Sequence, residues 1–340
     1  MERLVDKSIS GSAFTDSPHD ALPGRANIVI IGGGVVGSSI AHHLAAAGET
    51  DIVLIEANVI GSGSSWHAAG LVTGARGTRT LTELAQYGLN SYANLQEQSG
   101  IDVNFMRAGS LSIARTPGRL DEIIYARDVA RQSGVDTEML DAKRFAEVWP
   151  LATDEGILGS LLLPDDGHIN PGWAAVAYAK LASEGGVKMR EGVRVASILT
   201  EGGRVTGVRT SDAAEHVHVR TNPIDGAKPE LPVFRDLDNS YYLRHEEGRL
   251  LVGAFEPDGL PRSLADISDT GFAEFDADWD HFVPIRTQVE KTVAAIGEAG
   301  YDRFLNAPES FTPDANFALG ETGEVAGVFV AAGMNSQGII

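Results

Sequence analysis

The stretch from Ala26 to Gly48 contains no charged residue, and it restricts the possible folds of this chain more than any other feature. It is long enough to cross a bilayer as a helix. However, three consecutive glycines at 32–34 interrupt it, and its pattern changes from a β-branched run to an alanine-rich run. We therefore predict a buried parallel strand over 27–31, a helix over 38–47 that ends at Gly48, and no membrane span.

A glycine motif joins this strand to the helix. Gly32, Gly34 and Gly37 have the spacing Gly-x-Gly-x-x-Gly, and a second apolar strand over 51–55 ends at Glu56. In dinucleotide-binding folds such glycines allow a tight turn, close approach of a pyrophosphate, and close packing of helix on strand. The helix N-terminus offers amides to the phosphates, and Glu56 can accept hydrogen bonds from ribose hydroxyls. Because Glu56 would repel a 2′-phosphate, the motif predicts FAD or NAD rather than NADP.

Composition excludes several classes of protein. The 340 residues include 27 basic and 47 acidic side chains, a net charge of −20, whereas nucleic acids and anionic membranes bind basic surfaces. The chain has no cysteine, which excludes disulfides, thiolate nucleophiles and cysteine-ligated metals and is compatible with a cytoplasmic location. Residues 1–25 lack the apolar core of a secretory signal, so we expect a flexible tail there.

A second cluster of small residues, Gly61–Gly70, reads Gly-Ser-Gly-Ser-Ser-Trp-His-Ala-Ala-Gly, a composition that suits backbone running close to a flat ligand. This cluster resembles a motif of the dimethylglycine dehydrogenase and sarcosine dehydrogenase family, FAD-dependent oxidoreductases of the D-amino-acid oxidase superfamily. The resemblance implies that FAD is the cofactor, that Ser64 lies at its site, and that His67 is bonded covalently to the flavin 8α-methyl carbon. The alternative is non-covalent flavin with His67 packed against the ring edge.

The resemblance extends from about residue 27 to the end and implies an α/β fold. We expect a Rossmann-like FAD-binding domain interleaved with a mostly antiparallel substrate domain. The first domain is assigned to 26–79, 147–212 and 311–340, and the second to 80–146 and 213–310.

Two further segments carry expected cofactor contacts. Alternating residues on either side of Gly202 predict a hairpin over 193–209, and the resemblance implies that the backbone of Val195 contacts the adenosine there. Near the end, an apolar run from Val328 predicts a buried strand that leads into a glycine turn. By resemblance, the flavin contacts in this turn are Gly333, Asn335 and Gly338.

Alternation over 214–219 places His216 and His218 on one face of a strand. The two histidines could bind a metal or be purely structural, but no further ligands accompany them, so we predict no metal site. The resemblance implies instead that His216 and Tyr241 are the catalytic residues beside the flavin. Tyr242 must face the opposite way on its strand and is then a packing residue.

By the same resemblance, the expected reaction is FAD-dependent oxidation of a secondary or tertiary N-methyl amino acid of the sarcosine or dimethylglycine type. Hydride passes from the C–N carbon to flavin N5, and His216 and Tyr241 could accept the proton of the amine. A substrate carboxylate needs a cation, for which Arg107, Arg220 and Arg244 are open candidates. The electron acceptor is either an electron-transfer flavoprotein or oxygen.

Two departures from the family pattern lead to other predictions. A strand that family members place in the central parallel sheet is missing between Thr210 and Ala214, and the helix expected after Gly338 is missing before Ile340. A truncated, catalytically impaired FAD-domain protein is therefore one alternative, because the loss of a core strand exposes unpaired edges. A flavin oxidase of the glycine or D-amino-acid type is another, and the Ser-Trp-His motif argues against it.

Overall fold

The computed structural model of the chain describes residue 23 and residues 25–210, 216–255, 272–309, 312, 316–334 and 338–339, with backbone alone at 196, 206–210 and 216–217. The helices are α1 (Val35–Ala46), α2 (Arg79–Ser99), α3 (Pro117–Gln132), α4 (Ala142–Val148), α5 (Pro171–Glu184), α6 (Trp279–Thr292) and α7 (Ala294–Ala299). The strands are β1 (Ile28–Ile31), β2 (Ile52–Ile55), β3 (Leu71–Val72), β4 (Ser110–Ala114), β5 (Glu138–Leu140), β6 (Gly159–Leu163), β7 (Gly167–His168), β8 (Lys188–Arg190), β9 (Ala196–Glu201), β10 (Arg204–Thr210), β11 (His216–Thr221), β12 (Val233–Asp236), β13 (Tyr241–Glu246), β14 (Arg249–Ala254), β15 (Tyr301–Ala307), β16 (Ala318–Glu321) and β17 (Phe329–Ala332).

A three-stranded parallel sheet in the order β1-β2-β8 carries the glycine motif. The predicted strand–helix–strand unit is confirmed, and Gly48 ends α1 with a φ of +99°. All four residues of β2 are buried, as expected. The prediction that β1 is buried is wrong, since Ile31 is 50% exposed. Within the described ranges no strand pairs with the outer edge of β1, so its side chains lack neighbours there.

An eight-stranded sheet forms the second layer, in the order β15-β11-β14-β13-β12-β4-β6-β5. Its pairs are antiparallel except for β12 with β4. This mixture confirms the predicted α/β class with a mostly antiparallel second sheet. Strand β6 belongs to this sheet, although the sequence analysis assigns its segment, 147–212, to the FAD-binding domain. The domain boundaries stay a prediction.

Two hairpins lie outside these sheets. Strands β9 and β10 form the hairpin predicted over 193–209, with positive φ at Gly202 and Gly203 in its turn. Strand β17 pairs with β16 alone, and Phe329 is 74% exposed, so the prediction of a buried strand from Val328 is wrong. The reason is the same as for β1, because no strand in the described part of the chain covers the remaining edge of β17.

Two apolar cores fix the orientation of the large sheet. One core lies between the parallel sheet and helices α1, α2 and α5. The other packs α6 and α7 against one face of the large sheet, through residues such as Phe234, Tyr241 and Phe282. The opposite face of that sheet is therefore the one available to a site. No helix in the described residues has the length and apolar character needed to cross a membrane.

Candidate active site

The turn between β1 and α1 has the form of a phosphate cradle. Gly32 has a φ of +97°, and a Cβ at Gly37 would overlap the carbonyl oxygen of Gly32. Gly34 occupies the N-cap position of α1 and has no side chain to cap it, and the first helical amide, that of Val35, donates to the Ser65 hydroxyl at 2.9 Å. The amides that follow in the first turn have no partner within the helix and point toward the turn. These features fit the pyrophosphate of a dinucleotide.

Glu56 lies at the end of β2 beside this turn. One of its carboxylate oxygens accepts a hydrogen bond from the Gly33 amide at 2.6 Å, and the other accepts from the Asn58 amide at 2.8 Å. A carboxylate has about four acceptor positions, so Glu56 keeps capacity for ribose hydroxyls while its position is fixed. This location agrees with the adenosine role expected for Glu56, which stays a prediction.

The loop that follows β2 brings Ser64 and His67 to one backbone carbonyl. The Ser64 hydroxyl donates to the Pro308 oxygen at 2.9 Å, and His67 Nε2 lies 2.9 Å from the same oxygen. Because a carbonyl can only accept, Nε2 of His67 carries the proton, and in the neutral imidazole Nδ1 carries the lone pair. His67 is buried beside Trp66. The loop thus holds an imidazole with a nucleophilic nitrogen in a fixed tautomer.

Facing this loop, one row of the large sheet crosses four strands in register. His218 of β11 pairs with Gly253 of β14, which pairs with Tyr242 of β13, which pairs with Arg235 of β12. His218 Nε2 and the Tyr242 hydroxyl are 2.5 Å apart, and both residues are buried. The ring centroids of His218 and His67 are 6.5 Å apart. The structure therefore brings His67, His218 and Tyr242 together.

The structure does not bring Tyr241 to this group. Its side chain points to the other face of the sheet, where it packs against Phe234 in the core under α6. Adjacent residues of a strand face opposite ways, so only one of the two tyrosines can face the flavin-binding loop. The sequence analysis assigned that role to Tyr241, whereas the structure places Tyr242 there. His216 pairs with Ala307 through its backbone, and its side chain lies outside the described atoms. Tyr242 and His218 are accordingly the better candidates.

Of the remaining expected cofactor residues, the structure describes Val195, Gly333 and Gly338. Val195 precedes β9 and is partly buried, whereas Asn335 lies outside the described residues. Gly333 has a φ of +64°, in the left-handed region that favours glycine. Gly338 lines a cavity of about 260 Å³ that reaches the N-terminus of α1 at Val35. The structure thus places Gly338 near the N-terminus of α1, and the cofactor roles of these residues stay predictions.

Comparison with known proteins decides the family. Residues 27–221 and 212–340 match a family model described as DAO, FAD dependent oxidoreductase. The chain belongs to this family. Membership confirms FAD, rather than NAD, as the cofactor that the glycine motif predicts.

Two similar proteins carry the names of enzymes that act on N-methyl amino compounds. The chain is 59% identical over 370 residues to 4-methylaminobutanoate oxidase (formaldehyde-forming) of Paenarthrobacter nicotinovorans. This alignment covers 100% of the chain and 45% of the relative. The chain is 30% identical over 376 residues to mitochondrial sarcosine dehydrogenase of Homo sapiens, covering 100% and 41%. The chain spans less than half the length of these relatives. The structure of L-proline dehydrogenase from P. horikoshii shares its fold, with a TM-score of 0.82 at 22% identity over 94% of this chain and 90% of that one.

The same comparisons support the expected gap in the parallel sheet. An alignment of 370 positions with a chain of 340 residues requires at least 30 positions at which this oxidoreductase has no residue. The two segments that match the family model overlap at 212–221, beside the position where the strand is expected. The free edges of β1 and β17 are consistent with a strand missing between them.

Gly253 makes the His218–Tyr242 contact possible, because a Cβ there would overlap the Tyr242 ring. We expect Gly253→Ala to displace that ring, to destabilise the oxidoreductase by about 1–3 kcal/mol and to slow flavin reduction. Urea unfolding and anaerobic reduction rates measure the two effects. Gly118→Ala is the matched control, because a Cβ at Gly118 in α3 meets no atom within 4 Å. Equal behaviour of the two variants would contradict the role of Gly253.

Burial lowers the pKa of His168 to about 3, with repulsion from Arg244 and His245 acting in the same direction. His168 is therefore neutral in the folded protein, whereas in the unfolded chain it takes up a proton as the pH falls through about 6.5. Below that pH the unfolded state binds more protons than the folded state. His168 therefore lowers the free energy of unfolding by about 1.4 kcal/mol for each unit by which the pH is decreased. We expect His168→Gln to reduce the pH dependence of the free energy of unfolding, measured with urea, between about pH 6.5 and 4.5. Parallel curves for the variant and the wild type would contradict this.

Proposed function

We propose that this FAD-dependent oxidoreductase oxidises a secondary or tertiary N-methyl amino acid and that 4-methylaminobutanoate is its preferred substrate. The hydrogen-bonded His218–Tyr242 pair facing His67 carries the proposal, since it supplies a proton acceptor at the flavin-binding loop. The 59% identity to 4-methylaminobutanoate oxidase supports that substrate over sarcosine or dimethylglycine. The electron acceptor is an electron-transfer flavoprotein or oxygen.

FAD, when bound, supplies the two-electron acceptor for the hydride of the carbon attached to the amine nitrogen. The residues of the chain prepare the amine for this loss. A substrate ammonium gives its proton to the Tyr242 oxygen while Tyr242 passes its own proton to Nε2 of His218. The charge then resides on the imidazole, and the free lone pair of the amine stabilises the developing iminium. Loss of hydride from the methyl carbon gives an N-methylene iminium, and its hydrolysis by one water yields formaldehyde and the demethylated amine.

His67 and the glycine motif hold the cofactor in this proposal. His67 is the covalent attachment point, because its tautomer places the lone pair on Nδ1. Glu56 binds the adenosine ribose, and the α1 N-terminus binds the pyrophosphate. Ser64 supports the loop through the Pro308 carbonyl that it shares with His67.

The test mixes the purified flavoprotein anaerobically with five compounds and follows flavin bleaching and formaldehyde release. The compounds are 4-methylaminobutanoate, sarcosine, dimethylglycine, glycine and D-alanine. We expect bleaching with the N-methyl compounds, fastest with 4-methylaminobutanoate, and none with the last two. Bleaching by glycine or D-alanine alone would replace the proposal with an amino-acid oxidase of those types. No bleaching by any compound would refute it.

A second candidate function is a catalytically impaired FAD-domain protein. The observation that favours it is the free outer edge of β1, together with at least 30 aligned positions that the chain lacks. Flavin content separates the two candidates. Colourless protein that takes up no FAD on incubation would favour the impaired form, whereas yellow protein that substrate bleaches would exclude it.

A further inference from the structure

Two arginines lie at one end of the row formed by His218, Gly253, Tyr242 and Arg235. Arg235 of β12 stands directly opposite Tyr242 in the register, so both point to the same face of the sheet. Arg76 lies in the loop after β3 and lines the cavity that reaches the α1 N-terminus. Burial and then repulsion from Arg235 lower the pKa of the Arg76 guanidinium to about 10, and burial also lowers the pKa of Arg235. Both side chains keep part of their accessible surface.

One carboxylate, that of Asp166, faces these two cations, and other donors hold it. Asp166 is buried and accepts hydrogen bonds from the Gly74 amide at 2.7 Å and the Ser110 hydroxyl at 2.5 Å. Within the described ranges neither Arg76 nor Arg235 has a carboxylate oxygen within 4.0 Å, and Nε of Arg235 is buried without a hydrogen-bond partner. Two guanidinium groups and one carboxylate leave one positive charge uncompensated. An unpaired charge is costly even when it is partly buried, so the arrangement favours an anion.

The other arginines considered for a substrate carboxylate differ in this respect. Arg107 pairs with Asp165 at 3.4 Å, and Arg220 pairs with Asp302 at 2.9 Å. Arg244, the third of these arginines, pairs with Glu246 at 2.8 Å. Each of these cations already has a carboxylate partner, whereas Arg76 and Arg235 have none among the described side chains.

We propose that Arg235 and Arg76 form the subsite for the carboxylate of the substrate, next to the Tyr242 that receives the proton of its amine. The proposal rests on the proposed function and names the group that selects amino acids over simple amines. A guanidinium binds a carboxylate through two parallel hydrogen bonds, which fixes orientation as well as charge. Neighbouring strands are about 4.8 Å apart, so Arg235 and Tyr242 can hold the two ends of one small zwitterion.

Binding of butanoate, a carboxylate without an amine, tests the subsite independently of catalysis. Isothermal titration measures its affinity for the wild-type flavoprotein, Arg235→Gln, Arg76→Gln and Arg107→Gln, with melting temperatures recorded for each. We expect Arg235→Gln and Arg76→Gln to weaken binding by about 30-fold or more. Arg107→Gln, a surface control, should bind as the wild type does. If Arg235→Gln fails to fold, Arg235→Lys replaces it, with a smaller loss expected because Lys cannot form the two parallel bonds.

A kinetic ratio gives the second readout. The wild type should prefer 4-methylaminobutanoate to N-methylbutylamine in kcat/KM, and Arg235→Gln should remove that preference chiefly through KM. Absence of butanoate binding to the wild type, or equal binding by Arg235→Gln, would overturn the subsite even if N-methyl amino acids are oxidised. If Arg235→Gln and Arg76→Gln lose butanoate binding while the wild type oxidises no N-methyl amino acid, the proposed function is refuted. The anion subsite is still supported in that case.

Discussion

Denatured His67→Ala protein is expected to carry no flavin, whereas denatured wild-type protein keeps flavin absorbance and fluorescence on the polypeptide. The reason is chemical, since covalent attachment needs a nucleophilic nitrogen, and His67 presents one on Nδ1 while Nε2 donates to the Pro308 carbonyl. Alanine has no such group. The measurement is acid precipitation followed by a denaturing gel under ultraviolet light. The loss of the Nε2 hydrogen bond should cost about 1–3 kcal/mol, so the variant must first be shown to fold.

His281→Ala is the matched control for this experiment. His281 lies on α6, the helix that covers the opposite face of the large sheet from His218 and Tyr242. It should keep its flavin through denaturation as the wild type does. Flavin retained on denatured His67→Ala would place the attachment at another residue. Flavin released from denatured wild type would establish the non-covalent alternative.

Local patterns in the sequence were sufficient to predict the nucleotide-binding unit. The turn Gly32–Gly37, helix α1 and the acid Glu56 all belong to one continuous strand–helix–strand segment, within which the Gly33 amide donates to Glu56. Their backbone requirements can be read directly from glycine spacing and apolar periodicity. The exposure of β1 could not be read in this way, because it depends on whether a distant segment supplies the next strand.

The identity of the catalytic tyrosine shows the limit of the same reasoning. Alternation established that Tyr241 and Tyr242 face opposite ways, but it contains no information on which face α6 and α7 cover. That choice is made by the apolar residues of α6, such as Phe282, which share one core with Phe234 and Tyr241. A signal was nevertheless present in the sequence, because Gly253 interrupts the apolar strand β14. A glycine inside a strand marks close approach of another group, and here that group is the Tyr242 ring.

The arginine subsite was missed for a related reason. Arg235 stands in the short strand β12 between Phe234 and Asp236, and from sequence alone it is one cation among many. Its distinction is that Asp166, the acid facing it, is occupied by the Gly74 amide and the Ser110 hydroxyl from other parts of the chain. Only the three-dimensional arrangement reveals which arginines have no carboxylate partner among the described side chains. Charge compensation is a long-range property, whereas motifs report local backbone geometry.

His218→Ala and Tyr242→Phe are each expected to slow anaerobic flavin reduction by about 10²–10⁴-fold, the usual range for loss of general acid–base catalysis. The reason is that the two side chains act along one hydrogen bond, so removal of either breaks the path by which the proton of the amine leaves. Stopped-flow bleaching with 4-methylaminobutanoate measures the effect. Tyr241→Phe serves as the control, because its hydroxyl lies on the other face of the sheet, beside Asp236 and Arg115.

The double variant His218→Ala/Tyr242→Phe distinguishes a shared proton path from two separate contributions. Residues that act as a unit are not additive, so the double variant should be no slower than the slower single variant within about threefold. Multiplied losses would instead mean that His218 and Tyr242 act independently. Wild-type rates in His218→Ala and Tyr242→Phe, with a large loss in Tyr241→Phe, would return the catalytic role to Tyr241. Since Tyr241 is fully buried under α6, that outcome would also require the sheet to present its other face to the flavin.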